Sequence, residues 1–205
     1  MDIEDINKQV EDSPLTKEEA KEQFVEMTEQ LGLDHSYNFD EAWEIGQELR
    51  RRKDFRNTIV EFEETVREKG GWLSEEDTKK LNPVKHSFAD GCYIREIFNP
   101  AGELLVTKIH KKEHPYFILN GDITVISPDG IQRIKGPYHG ITQPGTKRVI
   151  ITHEDTTFIT VHATTKTTVE DVVEEVIAKD FDDPLVALPK LNNTNKTINN
   201  YIYIY

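Results

Sequence analysis

The spacing of apolar side chains changes period near residue 85, and that change predicts two regions of different build. Before it, apolar positions recur every three or four residues, the helical period. Thr16-Lys-Glu-Glu19 fits a capping box, in which hydroxyl and carboxylate each satisfy a free N–H at a helix start. Ala20, Phe24, Met27 and Leu31 continue one face, and Gly32 ends it. A second helix is predicted from Asp40 through Trp43, Ile45 and Leu49, closing on Arg50-Arg-Arg-Lys53, cations suited to a helix C-terminus. Asn57 is expected to cap a third helix carrying Ile59, Val60, Phe62 and Val66, and Ser74 to Leu81 forms a short fourth. The apolar stripes are narrow, so these helices are expected to pack on the second region or on a partner.

After residue 85 the period falls to two. Cys92–Phe98, Leu104–His110, Tyr116–Asn120, Ile123–Ser127, Ile131–Ile134, Lys147–Thr152 and Thr157–Val161 are short and rich in β-branched and aromatic residues. Turn signals such as Asn99-Pro-Ala-Gly102, Asn120-Gly-Asp122 and Pro128-Asp-Gly130 separate them. Short strands at this spacing predict an antiparallel sandwich or barrel. Thr168 then caps a helix whose apolar face is Val169, Val172, Val173, Val176 and Ile177, and an Asn/Thr-rich stretch leads into Tyr201-Ile-Tyr-Ile-Tyr205. The expected organisation is an acidic helical region over 1–84, strands over 85–165, a helix within 166–190 and a tail over 191–205. The tail could add an edge strand or mediate self-association.

Charge sharpens the division. The 205 residues carry a net charge of −13, of which −11 falls in residues 1–84. A balance this acidic argues against sequence-independent nucleic-acid binding. The acidic helices are expected to be solvated or to dock on a basic protein partner. No apolar run is long enough to span a membrane, and the start MDIEDINKQVEDS has no apolar core like that of a signal peptide, so a cytoplasmic location is expected. The lone Cys92 excludes an intramolecular disulfide and reads as a small buried hydrophobe. No P-loop, G-x-G-x-x-G or nucleophile elbow is present.

The spacing that carries chemistry is Gly102-x5-Lys108-x-His110-x3-His114-x6-Gly121, followed by Gln143-Pro-Gly145-x2-Arg148. It resembles the cupin superfamily, whose first motif runs G-x5-H-x-H-x3,4-E-x6-G and whose second contains P-x-G-x2-H. It is similar in particular to small cupin-like proteins encoded in phage genomes, for which a cytoplasmic or virion location follows. The resemblance covers about residues 88–165 and implies a mainly β fold, a cupin-like antiparallel barrel or jelly roll, with a homodimer as the common assembly. In the family, the two His and the Glu of the first motif and the His of the second bind a metal. The matching positions here are Lys108, His110, His114 and Arg148. Only His110 and His114 can ligate a metal at neutral pH, because Arg148 stays protonated and Lys108 would need a strongly lowered pKa.

Two readings of the site follow. In the favoured one, Lys108, His110, His114 and Arg148, with Tyr116 beside them, line the barrel mouth and bind a small anion such as a carboxylate, phosphate or sulfate. In the other, His110 and His114 hold a divalent metal with a third ligand from His139, His153, His162 or Glu113, and the protein is a metal-dependent oxygenase or isomerase in which Tyr116 serves as acid or base. A third function class is structural: the barrel is a scaffold, and the helices and tail mediate assembly, for instance in a phage particle. Strand alternation puts Arg148, Ile150 and Thr152 on one face, but both faces of Leu104–His110 are mixed, so parity alone does not say which points inward.

Overall fold

The computed structural model describes residues 16–30 and 39–188. Two compact units divide the chain after Arg52. In the first, α1 (Lys17–Gln30) starts at the predicted capping box: the Thr16 N–H donates to Glu19 Oε2 at 2.8 Å, and the Glu19 N–H donates to Thr16 Oγ1 at 3.3 Å. Phe24 meets Phe39 at 5.4 Å between ring centroids, and Lys17 pairs with Asp40 at 2.9 Å. Leu31, Gly32 and the tail from Leu191 lie outside the described residues.

The second and third predicted helices are one. Helix α2 runs Phe39–Glu68 without interruption. Between Arg50 and Asn57 stand only residues that a helix tolerates, with no Gly or Pro to stop it, so Asn57 sits mid-helix and caps nothing. Glu48 answers the basic run, accepting hydrogen bonds from Arg51 and Arg52. A short α3 (Glu75–Leu81) follows, its Asp77 N–H donating to the Ser74 cap at 3.0 Å.

The described residues of the second unit hold eleven strands. One sheet has the order β1-β2-β10-β5-β8, formed by Val84–Ala89, Cys92–Asn99, Thr156–Ala163, His114–Asn120 and Tyr138–Thr142. The other has the order β3-β9-β6-β7, formed by Leu104–Val106, Val149–Thr152, Asp122–Ser127 and Gly130–Lys135. A two-strand pair joins β4 (Ile109–His110) to β11 (Ile177–Ala178). All pairings are antiparallel, and the chain crosses repeatedly between the sheets, as in a jelly roll. Cys92 opens β2 half-buried and free.

Tyr116, Ile118, Ile123, Ile134 and Ile150 bring the two sheets together in one apolar core, with Leu105, Val125 and Phe158 packed against it. Ile123 is fully buried there. Replacing it with Ala removes three carbons from a filled interior, and the expected cost is about 2–5 kcal/mol, read as a lower urea midpoint with unchanged slope.

Two further contacts wall this unit. Thr168 caps α4 (Val169–Val176) by accepting from the Asp171 N–H at 3.2 Å, and Val172 and Val176 pack on Tyr93. Along the later part of α2, Arg56 donates to the Val186 carbonyl at 2.8 Å, and Lys147, almost wholly buried, pairs with Glu63 at 2.7 Å. Such a shielded pair holds its helix in place, because losing one partner leaves the other charge buried.

Candidate metal centre

Register fixes what lies on the inner face of the larger sheet. Tyr93, Arg95 and Ile97 alternate inward on β2, opposite His162, Thr160 and Phe158 on β10. Thr160 is in turn opposite Tyr116 on β5, and Gly140 on β8 is opposite Tyr116 from the other side. His114 stands two residues before Tyr116 and shares its face. The third histidine, His110, comes from β4.

These strands bring three imidazoles together. His110 and His114 have ring centroids 4.2 Å apart, His114 and His162 4.2 Å, and His110 and His162 5.5 Å. One nitrogen from each lies within 4.8 Å of those of the other two. His114 and His162 are buried, at 2% and 4% exposure. Among the described residues, the buried Nδ1 atoms of His110 and His162 have no hydrogen-bond partner. The Nδ1 of His114 lies 3.1 Å from the Lys112 carbonyl; a carbonyl only accepts, so that nitrogen carries the proton and Nε2 is left with its lone pair.

The electrostatics keep the cluster neutral. Burial, then the neighbouring His114, His162, Arg148 and Arg95, push the His110 pKa down to about 3. Burial, then His114, Arg95 and Lys112, push His162 down to about 4. His114 is lowered chiefly by burial, with Arg148 adding to the effect and its bond to the Lys112 carbonyl opposing it.

The cluster fits a divalent metal by these observations. Neutral imidazoles with free lone pairs are what such an ion takes. Zn–N distances of about 2.1 Å need nitrogens ~3–3.5 Å apart, so the rings must close by roughly an ångström, within reach of side-chain rotation. With three protein ligands, positions on the ion stay open for another molecule.

Around the histidines stand two arginines and a tyrosine. Arg148 lies inward with Ile150, its guanidinium 5.5 Å from the Tyr116 ring centroid and its Nη1 donating to Thr142 Oγ1 at 3.3 Å. Arg95 lies inward beside Tyr93. Burial works against both charges and pushes both pKa values down. It pushes the Tyr116 hydroxyl up. A Cβ at Gly140 would stand 2.7 Å from the Tyr116 hydroxyl oxygen, so the ring lies where only glycine leaves room.

Of the five residues assigned to the site by sequence, the structure brings together His110, His114, Tyr116 and Arg148. Lys108 is placed elsewhere: it is exposed, in the Thr107-Lys108 break between β3 and β4. That break is the physical reason. The strand expected to run unbroken over Leu104–His110 is two strands with different partners, β9 and β11, so one alternation does not carry across it. Among the four candidates for a third ligand, His162 joins the cluster. His139, His153 and Glu113 are exposed, and His153 instead pairs through Nε2 with Thr124 Oγ1 at 2.8 Å. Arg95 has no counterpart in the sequence reading. Its signal was a lone cation in mid-strand, masked because both faces of Cys92–Asn99 carry apolar residues.

No family model matches the sequence, and no curated protein matches it. Among solved structures, a cupin superfamily protein from Desulfitobacterium hafniense is 12% identical, over 40% of this chain and 76% of that one, with a TM-score of 0.36. Ectoine synthase from P. lautus is 12% identical, over 47% of this chain and 72% of that one, with a TM-score of 0.39. A cupin domain of an XRE family transcriptional regulator from Enterobacter cloacae is 10% identical, over 42% of this chain and 99% of that one, with a TM-score of 0.36. Among the described residues no helix is long and apolar enough to cross a membrane. Two of these three neighbours are named as cupins, and the sheets themselves make a mainly antiparallel β fold of the jelly-roll kind with a few helices.

Proposed function

We propose that this protein is a metal-binding, cupin-like small-molecule protein whose centre is His110, His114 and His162. One observation carries the reading: three imidazoles from β4, β5 and β10 converge inside the sheets, and two of their buried nitrogens have no partner there. A buried polar atom without a partner is costly, and a metal ion would satisfy these. A bound divalent ion supplies Lewis acidity or redox chemistry at its open positions. The chain's own residues do the rest: Tyr93 and the apolar core exclude water, His114 is oriented by the Lys112 carbonyl, and Tyr116 stays protonated at neutral pH and offers a hydroxyl.

The anion-binding reading also has an observation in its favour, the inward guanidinium of Arg148. It differs from the sequence expectation in its members, because Lys108 is exposed. Assembly through the acidic helices, the tail or a homodimer remains a proposal to be tested by sedimentation of the full chain.

The test is calorimetric titration of chelator-treated protein with Zn²⁺, Mn²⁺, Fe²⁺ and Ni²⁺, alongside elemental analysis of protein purified without affinity metal. The expected result is one equivalent per chain, with affinity falling at least about 100-fold in His162→Ala. Metal-free protein that takes up none of the four ions, or equal binding by His162→Ala, would overturn the reading.

A further inference from the structure

The centre holds more positive charge than it can neutralise. Arg95 and Arg148 both face the interior, and both bear on His110. Neither guanidinium has an ion pair among the described residues: Arg148 donates one hydrogen bond, to Thr142, and Arg95 none. The acidic residues nearest in sequence do not answer them. Glu96 points from the opposite face of β2, and Asp129, whose field reaches Arg148, sits on the turn between β6 and β7. A guanidinium presents five donors in a rigid fork, and shielding it from water without an acceptor is unfavourable. Two such groups at one centre are unlike a packed core, where a methionine or leucine would be more stable.

The two arginines have different neighbours. Arg95 stands beside Tyr93 on β2, and Arg148 beside Tyr116 on β5 and Tyr138 on β8. Strand β10 runs between β2 and β5, so Tyr93 and Tyr116 are two strand spacings apart, roughly 10 Å. The histidine cluster lies between them: His162 stacks near Tyr93 at 6.2 Å between ring centroids, and His114 precedes Tyr116 by two residues. A single compact anion meets one fork; an anion with two spaced charges meets both.

We infer that Arg95 and Arg148 form a split clamp for a small dicarboxylate, one carboxylate on each guanidinium, with the body of the ligand against His110, His114 and His162. The ligand's two charges match the two guanidiniums. A divalent ion and two guanidiniums bring four positive charges to neutral histidines, and a dianion halves that excess. Each carboxylate suits one fork bidentately. The clamp rests on the metal-centre reading for its position but needs only the arginines for its charge, so the two can fail separately.

The experiment uses the full chain, metal-free and metal-loaded. Calorimetry and thermal shift are run with malonate, succinate and glutarate, against acetate and inorganic phosphate. One member of the dicarboxylate series is expected to bind at least about tenfold more tightly than acetate or phosphate. Arg95→Gln and Arg148→Gln should each lower that affinity at least about tenfold and reduce the preference over acetate. Arg95→Met guards against misfolding: without ligand it should melt at or above the wild-type temperature, because a half-buried cation without an ion pair is gone, yet lose the response to dicarboxylate. Metal uptake without dicarboxylate binding overturns the clamp alone. Dicarboxylate binding by protein that takes up no metal overturns the metal centre and leaves the clamp. Tighter binding of phosphate, or dicarboxylate affinity unchanged in both arginine variants, overturns the clamp.

Discussion

Metal-free protein loses stability as the pH falls below 6.5, and the loss begins well before its carboxylates are protonated. In the unfolded chain His110 and His162 titrate near the ordinary histidine value, about 6.5. In the folded chain burial and neighbouring cations hold them down to about 3 and about 4. Above pH 6.5 both states leave them neutral, and the full stability is present. Below it the unfolded chain takes up protons that the folded chain refuses, so unfolding gains until the folded values are reached. His114 is lowered too and acts in the same sense. Each tenfold difference in proton affinity is worth ~1.4 kcal/mol, so between pH 6.5 and pH 5 the two outer histidines together account for on the order of 4 kcal/mol. Urea midpoints in the presence of chelator should drop steeply between pH 7 and pH 5. A His110→Leu, His162→Leu double variant should flatten that slope. Equal slopes in both proteins would show that the histidines are not kept neutral by the fold.

Gly121→Ala is expected to cost about 2–6 kcal/mol, with backbone strain and a displaced strand each contributing ~1–3 kcal/mol. Gly121 ends the stretch from β5 into β6 with φ +114°, a region that side chains with a Cβ avoid. Space is lacking as well: an added Cβ would stand 2.2 Å from Thr156 Oγ1 and 2.8 Å from the Thr156 backbone Cα. The hydroxyl could rotate away, but the Cα belongs to β10 and cannot move without shifting the strand that carries His162. The cost is therefore the sum of backbone strain and a displaced central strand. Circular dichroism and thermal melting would measure it. A variant melting within a few degrees of wild type would mean that the β5–β6 turn is more yielding than its contacts imply. Gly102→Ala is the control, because Gly102 has positive φ, at +86°, but open space around it.

These contrasts show what was readable in the chain. Local chemistry was: the caps at Thr16 and Thr168 and the turn at Gly121 depend on a few neighbouring residues, and the structure has them. The period-two stretches gave most of the strands for the same reason. Three strands were hidden: β1, β8 and the two-residue β11, whose Ile177 reads as the last apolar position of the preceding helix. β1 is exposed along its whole length, so no face of Val84–Ala89 is selected for apolarity. β8 carries Tyr138-His-Gly140 next to a proline and reads as a turn until β5 pairs with it. At the centre, His110 and His114 were legible because four residues of one loop and strand bring them together. Arg95 was not, and His162 was one of four candidates, because only the pairing of β2 with β10 and β10 with β5 puts them there.

One wall of the histidine chamber is made last. β11 pairs with β4, setting Ile177 opposite His110, and the Lys111 N–H donates to the Val176 carbonyl at 2.8 Å. Ile109, Ala178 and Val186 share a small core with Phe181, and α4 covers Tyr93. His110 thus stays unsupported until a segment more than sixty residues downstream has been synthesised and has folded back. During translation the two long sheets can pair while the chamber is still open on that side. A shortened gene ending after β10 would encode every imidazole of the centre and both arginines, yet leave the strand that bears His110 without its pairing partner.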